Sequence, residues 1–130
     1  MYEMKPEYYT GLTTIDEQHT ELFRIADEAY VVLKDEFISD KFDNIVEIIG
    51  RLKEYAIKHF ADEEAYMQSI RYKKFLSHKI EHDDFIEKLE ALDFDQMDRN
   101  QKGTLLDLLE FLSDWLVHHI LEKDKLISQN

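Results

Sequence analysis

Four stretches of this chain carry an apolar stripe at helical spacing, and each stripe contains histidine. The first seam runs Ile15, His19, Leu22, Ala26, Ala29 and Leu33. The second runs Ile45, Ile49, Leu52, Ala56, His59, Glu63 and Tyr66. Phe75, His78, His82, Phe85, Leu89 and Leu92 make the third. In the fourth, Leu105, Leu112, His119 and Leu126 recur at seven-residue intervals beside Leu108, Leu109, Trp115 and Leu116. Steps that alternate between four and three keep these side chains on one helix face. A charged Glu63 in such a stripe is unfavourable unless something pairs with it or binds it.

The spacing predicts helices over about residues 14–38, 41–68, 75–92 and 104–127. Thr14 with Glu17 three residues on reads as a capping box, and Ser77 as a candidate cap of the third helix. Gly50 interrupts the second helix. Residues 93–103, acidic, polar and closed by Gly103, read as a loop. Residues 1–13 form an arm, with Pro6, Gly11 and the Tyr8-Tyr9 pair suggesting an extended segment packed by its aromatics. With only 3 Gly and 1 Pro, the chain favours long helices. The prediction is an all-α fold, one domain over residues 1–130. It is an up-down-up-down four-helix bundle with an N-terminal arm.

That topology gathers one end of the bundle from the start of the first helix, the end of the second, the start of the third and the end of the fourth. His19, His59, His78, His82 and His119 all lie there, five of the six histidines. Glu63 joins them from the second helix. The fourth helix offers Glu122 and Asp124, and spacing does not choose between them. His118 lies off the seam and reads as a surface or outer residue. A lone buried histidine is more often a hydrogen-bonded core residue than a ligand. Five converging ones would repel if charged, and would each need a partner if neutral. A divalent transition metal accepts several neutral imidazoles and a carboxylate together. The donor count exceeds the four ligands of a structural zinc site and suits two metals sharing carboxylates. Neither Glu-x-x-His, used by carboxylate-rich di-iron bundles, nor His-Glu-x-x-His occurs.

A net charge of −13 argues against nucleic acid or an anionic membrane surface as a partner. The absence of cysteine removes disulfides, thiolate ligands and Cys nucleophiles. The polar N-terminus carries no signal-peptide core, and no run reaches a membrane span, so the expected location is cytoplasmic.

Taken together, Ile15-Asp16-Glu17-Gln18-His19, His59-Phe60 with Glu63-Glu64 and Met67, His78 and His82 with Phe85, and Trp115 to Ile120 with Asp124 resemble the hemerythrin family, specifically its single-domain bacterial members. The resemblance covers essentially the whole chain. It implies a non-haem di-iron centre with an oxo or hydroxo bridge and O2 as a reversibly bound ligand. It implies one iron on His78, His82 and His119, the other on His19 and His59 with an open position, and Glu63 and Asp124 bridging the pair. On the same ground Asp124, not Glu122, is the ligand. The implied role is an oxygen carrier, store or delivery protein rather than an enzyme, serving an unidentified O2-consuming enzyme. An O2 or redox sensor acting through a signalling partner, or a di-iron peroxidase or nitric-oxide scavenger, could use the same site. A bland bundle or zinc-bound interaction module is the remaining alternative.

Overall fold

A computed structural model describes residues 4–128, the side chains of residues 121, 122 and 128 excepted. Among the described residues every regular element is helical. A short 3-10 turn, Pro6–Tyr8, leads into α1 (Thr13–Lys34), α2 (Phe42–Ser69), α3 (Phe75–Glu90), a short α4 (Phe94–Arg99) and α5 (Gln101–His119). The chain then winds through a π turn, Ile120–Asp124, into α6 (Lys125–Ser128). The long helices form a four-helix bundle. α1 packs on α2 and α5, and α2 packs on α3. Phe85 of α3 closes the ring against Phe111 and Trp115 of α5, at 5.3 and 4.5 Å between ring centres. Leu52, Ala56, Leu105 and Leu112 lie at the fully buried centre. No helix among the described residues is long and apolar enough to cross a membrane.

The arm is held mainly by one carboxylate. Asp16 Oδ1 accepts from the backbone N–H and the hydroxyl of Thr10, both at 2.8 Å, and Oδ2 accepts from Gly11 N–H at 3.0 Å. Gly11 turns there with φ +89°, a conformation that side chains disfavour. Tyr8 is buried and stacks on Phe23 at 5.3 Å, whereas Tyr9 is about half exposed.

Helix ends differ from the spacing in several places. α1 starts at Thr13 after Leu12 with no side-chain cap, so the Thr14–Glu17 box does not form. α1 stops at Lys34 rather than near 38. Asp35 turns out of the helix and accepts from Phe37 N–H, and the buried Lys41 ammonium donates to the carbonyls of Asp35 and Ile38 at 2.8 and 2.5 Å. α3 starts at Phe75 with no side-chain cap and ends at Glu90, so Ser77 lies inside it. The expected loop at 93–103 is largely helical. Asp93 caps α4 by accepting from the N–H groups of Asp95 and Gln96, and Asn100 caps α5 by accepting from Gly103 N–H. These polar residues are helix caps rather than solvated loop. Gly103 sits in the first turn of α5, where a Cβ would collide with the Asn100 side chain. At Gly50 a Cβ would meet nothing within 4 Å, so close packing does not require that glycine. The fourth long helix is not continuous to residue 127, because the π turn interrupts it.

Candidate metal centre

His19 comes from the start of α1, His59 and Glu63 from the end of α2, and His78 and His82 from the start of α3. His119 ends α5, and Asp124 ends the π turn. None of the seven is more than 2 % exposed. Their donor atoms fall into two overlapping groups: Glu63, His78, His82, His119 and Asp124, and His19, His59, Glu63 and Asp124. Within each group all donor atoms lie within 4.8 Å of one another. Both carboxylates belong to both groups. Among the described residues no further carboxylate joins either group, and the side chain of Glu122 lies outside the described residues.

The π turn brings Asp124 into place. In an α-helix of 3.6 residues per turn, a residue five positions on stands about 140° round from the first. A π turn closes its hydrogen-bonded ring at i+5. It therefore returns Asp124 to the face of His119, with Asp124 Oδ1 2.9 Å from His119 Nε2.

The distances are those of donors converging on common points. Glu63 Oε1 lies 2.6, 3.0 and 3.6 Å from the Nε2 atoms of His78, His82 and His119. Glu63 Oε2 lies 3.5 and 3.9 Å from those of His59 and His19. His19 Nε2 is 2.8 Å from Asp124 Oδ2, yet neither atom makes a hydrogen bond of acceptable angle. Glu63 Oε2 and Asp124 Oδ1 are likewise buried without a hydrogen-bond partner. Atoms this close that do not point at each other leave their lone pairs free for a third body.

Hydrogen bonds on the outer side of the rings fix the tautomers. Glu64 Oε2 lies 2.9 Å from His82 Nδ1. A carboxylate only accepts, so His82 Nδ1 carries the proton. In the neutral ring the Nε2 lone pair then faces Glu63 Oε1 at 3.0 Å and His119 Nε2 at 3.2 Å. His59 is fixed through a relay. Gln18 Nε2 donates to Asp62 Oδ2 at 2.7 Å, which turns Gln18 Oε1 toward His59 Nδ1, also at 2.7 Å. His59 Nδ1 is therefore the donor, and its Nε2 lone pair points inward. Imidazoles held in this tautomer by an outer acceptor are the usual arrangement of metal-ligating histidine. Aromatic faces fix the ring planes: Phe60 stacks on His82 at 4.0 Å and Trp115 on His119 at 4.2 Å.

Charge leads to the same requirement. Burial and the facing Asp124 oppose ionisation of Glu63, but the imidazoles of His119, His78 and His82 outweigh them and hold it below the usual carboxylate range. Burial likewise opposes ionisation of Asp124, and His119, His19 and His78 more than offset it. Burial works against a proton on His119 and on His78. Asp124 and Glu63 nonetheless raise both, His119 strongly. Burial lowers His59 to about 4, with Glu63 pulling the other way. Two buried carboxylates thus demand positive charge, which the metal-free protein draws from protons on its histidines. Cations at the two convergence points would supply that charge and satisfy the inward lone pairs. Mixed imidazole and carboxylate donors in this number fit first-row transition metals.

Spacing alone passed over the outer residues. Glu64 and Asp62 fall off the seam, where side chains are ordinarily solvated, yet Glu64 accepts from His82 and Asp62 anchors Gln18. Glu81, 3.9 Å from His119 Nδ1, stands further out. The available signal is that an off-seam polar residue beside a seam donor lies behind a histidine ring of the neighbouring helix. His118 is on the solvent side of α5.

A family model described as the hemerythrin HHE cation binding domain matches residues 10–129. The chain is 46 % identical over 125 residues to a bacteriohemerythrin of Clostridium acetobutylicum, covering 96 % of this chain and 97 % of that one. It is 32 % identical to a bacteriohemerythrin of Methylococcus capsulatus, over 92 % of this chain and 88 % of the relative. Hemerythrin subunit 1 of Golfingia vulgaris is 33 % identical, over 92 % and 83 % of the two chains. A buried cluster of histidine, Glu63 and Asp124 at one end of a four-helix bundle, inside a match of this extent, places the chain in the hemerythrin family.

Proposed function

We propose that the protein binds O2 reversibly at a pair of iron ions, as an oxygen carrier, store or delivery protein. The observation that carries this reading is the pair of overlapping donor groups that share Glu63 and Asp124. His78, His82 and His119 would hold one ion and His19 and His59 the other, with Glu63 and Asp124 tying the two together. Iron there would supply the electrons that reversible O2 binding requires and take them back on release.

The chain's own residues do the rest. Two imidazoles on one side against three on the other leave the His19–His59 side with fewer donors, so that side has room for a small added ligand. Glu64 and the Gln18–Asp62 relay hold His82 and His59 with Nε2 inward. Leu22, Leu116 and Ile120, all buried in the surrounding core, keep bulk water and external reductants away. A histidine-rich shell with two carboxylates stabilises high-valent iron less well than an anionic shell would. That favours release of O2 over cleavage of its bond.

The test is metal content together with absorption spectra through repeated oxygenation and degassing. Two iron atoms per chain and a spectrum that appears with O2 and vanishes on degassing are expected. Oxygen addition that gives only ferric protein, with no reversible component, would defeat the carrier reading.

A further inference from the structure

The two ends of the donor cluster are built with different outer partners. At the three-histidine end His82 donates to a carboxylate, Glu64, and a second carboxylate, Glu81, stands 3.9 Å from His119 Nδ1. At the two-histidine end His59 donates to a neutral amide, Gln18, at 2.7 Å. The negative charge there, on Asp62, lies one residue further out, behind the amide. The second ring at each end, His19 in one and His119 in the other, has no hydrogen-bond partner on Nδ1, so the contrast lies in Glu64 against Gln18. Gln18 is buried at 5 % exposure, whereas Asp62 is exposed at the protein surface.

A carboxylate that accepts from the outer nitrogen makes an imidazole a stronger electron donor on its inner nitrogen. An amide acceptor orients the ring equally well but donates less. On the di-iron reading above, we infer that Gln18 and Glu64 are positioning residues that make the two metal positions electronically unequal. Gln18 keeps the His19–His59 position poorer in electrons and readier to stay reduced, and Glu64 does the opposite for its neighbour. The relay also explains why Asp62 is placed where it is. Without an acceptor on Gln18 Nε2 the amide could turn over and present N–H to His59, which would drive the ring proton inward and remove the ligand lone pair.

The relay allows a variant that moves one charge without adding any. In the double variant Gln18→Glu with Asp62→Asn, the new amide at position 62 donates to the new carboxylate at position 18, which in turn accepts from His59. Net charge and hydrogen-bond count are unchanged, while the carboxylate moves into direct contact with the ring. Glu64→Gln is its counterpart at the other end, replacing a carboxylate acceptor by an amide on a residue whose side chain is 19 % exposed. The measurement is a spectroelectrochemical titration of the iron-loaded protein. Each ferric ion gains one electron from a dithionite-reduced mediator, and no bond in the protein is made or broken. Loss of an outer partner typically changes metal affinity or activity about 10–100-fold, and the lower end of that range is taken for the redox ratio. The double variant should therefore move the ferrous-to-ferric ratio at fixed potential about tenfold toward ferric, or about 59 mV for a one-electron couple. Glu64→Gln should move it the other way.

A second readout needs no iron. In the zinc-loaded wild type, nitrogen NMR should find the His59 proton on Nδ1. Potentials unchanged in both variants, or a His59 proton on Nε2, would overturn the assignment. If the double variant does not fold, Glu64→Gln and the His59 tautomer decide the question. Shifted potentials without any reversible oxygenated spectrum would keep this inference and defeat the O2 reading. Reversible oxygenation with unmoved potentials would do the reverse.

Discussion

Replacing Glu63 by glutamine tests whether it is a shared ligand, as its place in both donor groups implies. The two side chains have nearly the same shape, so the bundle keeps its packing. In the metal-free protein Glu63 Oε1 accepts from His78 Nε2 at 2.6 Å; His82, at 3.0 Å, carries its proton on the far nitrogen, and His119 at 3.6 Å is beyond hydrogen-bond range. A hydrogen bond to a charged group contributes about 1.5–3 kcal/mol. Relief of repulsion with Asp124 returns part of it, so metal-free Glu63→Gln should be destabilised by about 1–2 kcal/mol. The effect on metal is larger in kind. A glutamine carbonyl can bind one ion, but its NH2 group cannot bind the other. Calorimetric titration with cobalt should therefore show both binding steps weakened in Glu63→Gln. His78→Ala, which belongs to one donor group only, should weaken one step and spare the other. Two undiminished steps in Glu63→Gln would refute the bridging role of this residue.

Other substitutions probe the surroundings. Leu116→Ala opens space in the buried shell one turn before His119 and should cost about 2–5 kcal/mol. On the O2-binding reading it should also speed conversion of the oxygenated protein to its ferric form, and an unchanged rate measured optically would remove Leu116 as a gate. Gly50→Ala adds a methyl group where nothing lies within 4 Å, inside α2. It should raise stability by about 0.5–1 kcal/mol in thermal unfolding, and a loss would mean that the helix needs glycine for another reason. The metal-free protein should weaken as pH falls from about 6.5 to 4. The unfolded chain takes up a proton at the ordinary histidine value of 6.5, and folded His59 refuses it until about 4. That gap corresponds to about 3 kcal/mol. His78 and His119, raised in the folded state, are protonated in both states below about pH 6 and add no slope there. They lose their stabilising effect as pH rises through their folded values. Urea unfolding of the metal-free protein at pH 6 and at pH 4.5 measures the slope, and a flat result would contradict the burial of neutral His59.

The seams show why so much of the bundle is legible in the amino-acid order. His19, His59, His78, His82 and His119 occupy positions that Leu or Ile would otherwise fill, so helical periodicity alone places them inside. Antiparallel succession then sets them at one end. What periodicity cannot show is a change of period, and Asp124 depends on one. Capping by Asp93 and Asn100 was hidden by a different ambiguity. An acidic polar stretch reads equally as solvated loop or as the start of a helix until the N–H groups that it serves are located. Gln18 and Glu64 were obscured because they work across a helix interface. Their positions along their own helices say only that they are off the seam, and the ring that each one holds belongs to a different helix.

The π turn makes the centre sensitive to chain length. Counting from His119, the carboxylate is presented at the fifth residue only while that one turn holds an extra residue. Deleting one residue between His119 and Asp124 would let an ordinary α-helix carry the carboxylate at the fourth residue, again on the face of His119. Inserting one would strand it on another face. The interval from His119 to Asp124 therefore acts as a spacer whose length is tied to its winding. A relative with a one-residue gap there could keep its centre, provided that its helix lacks the bulge.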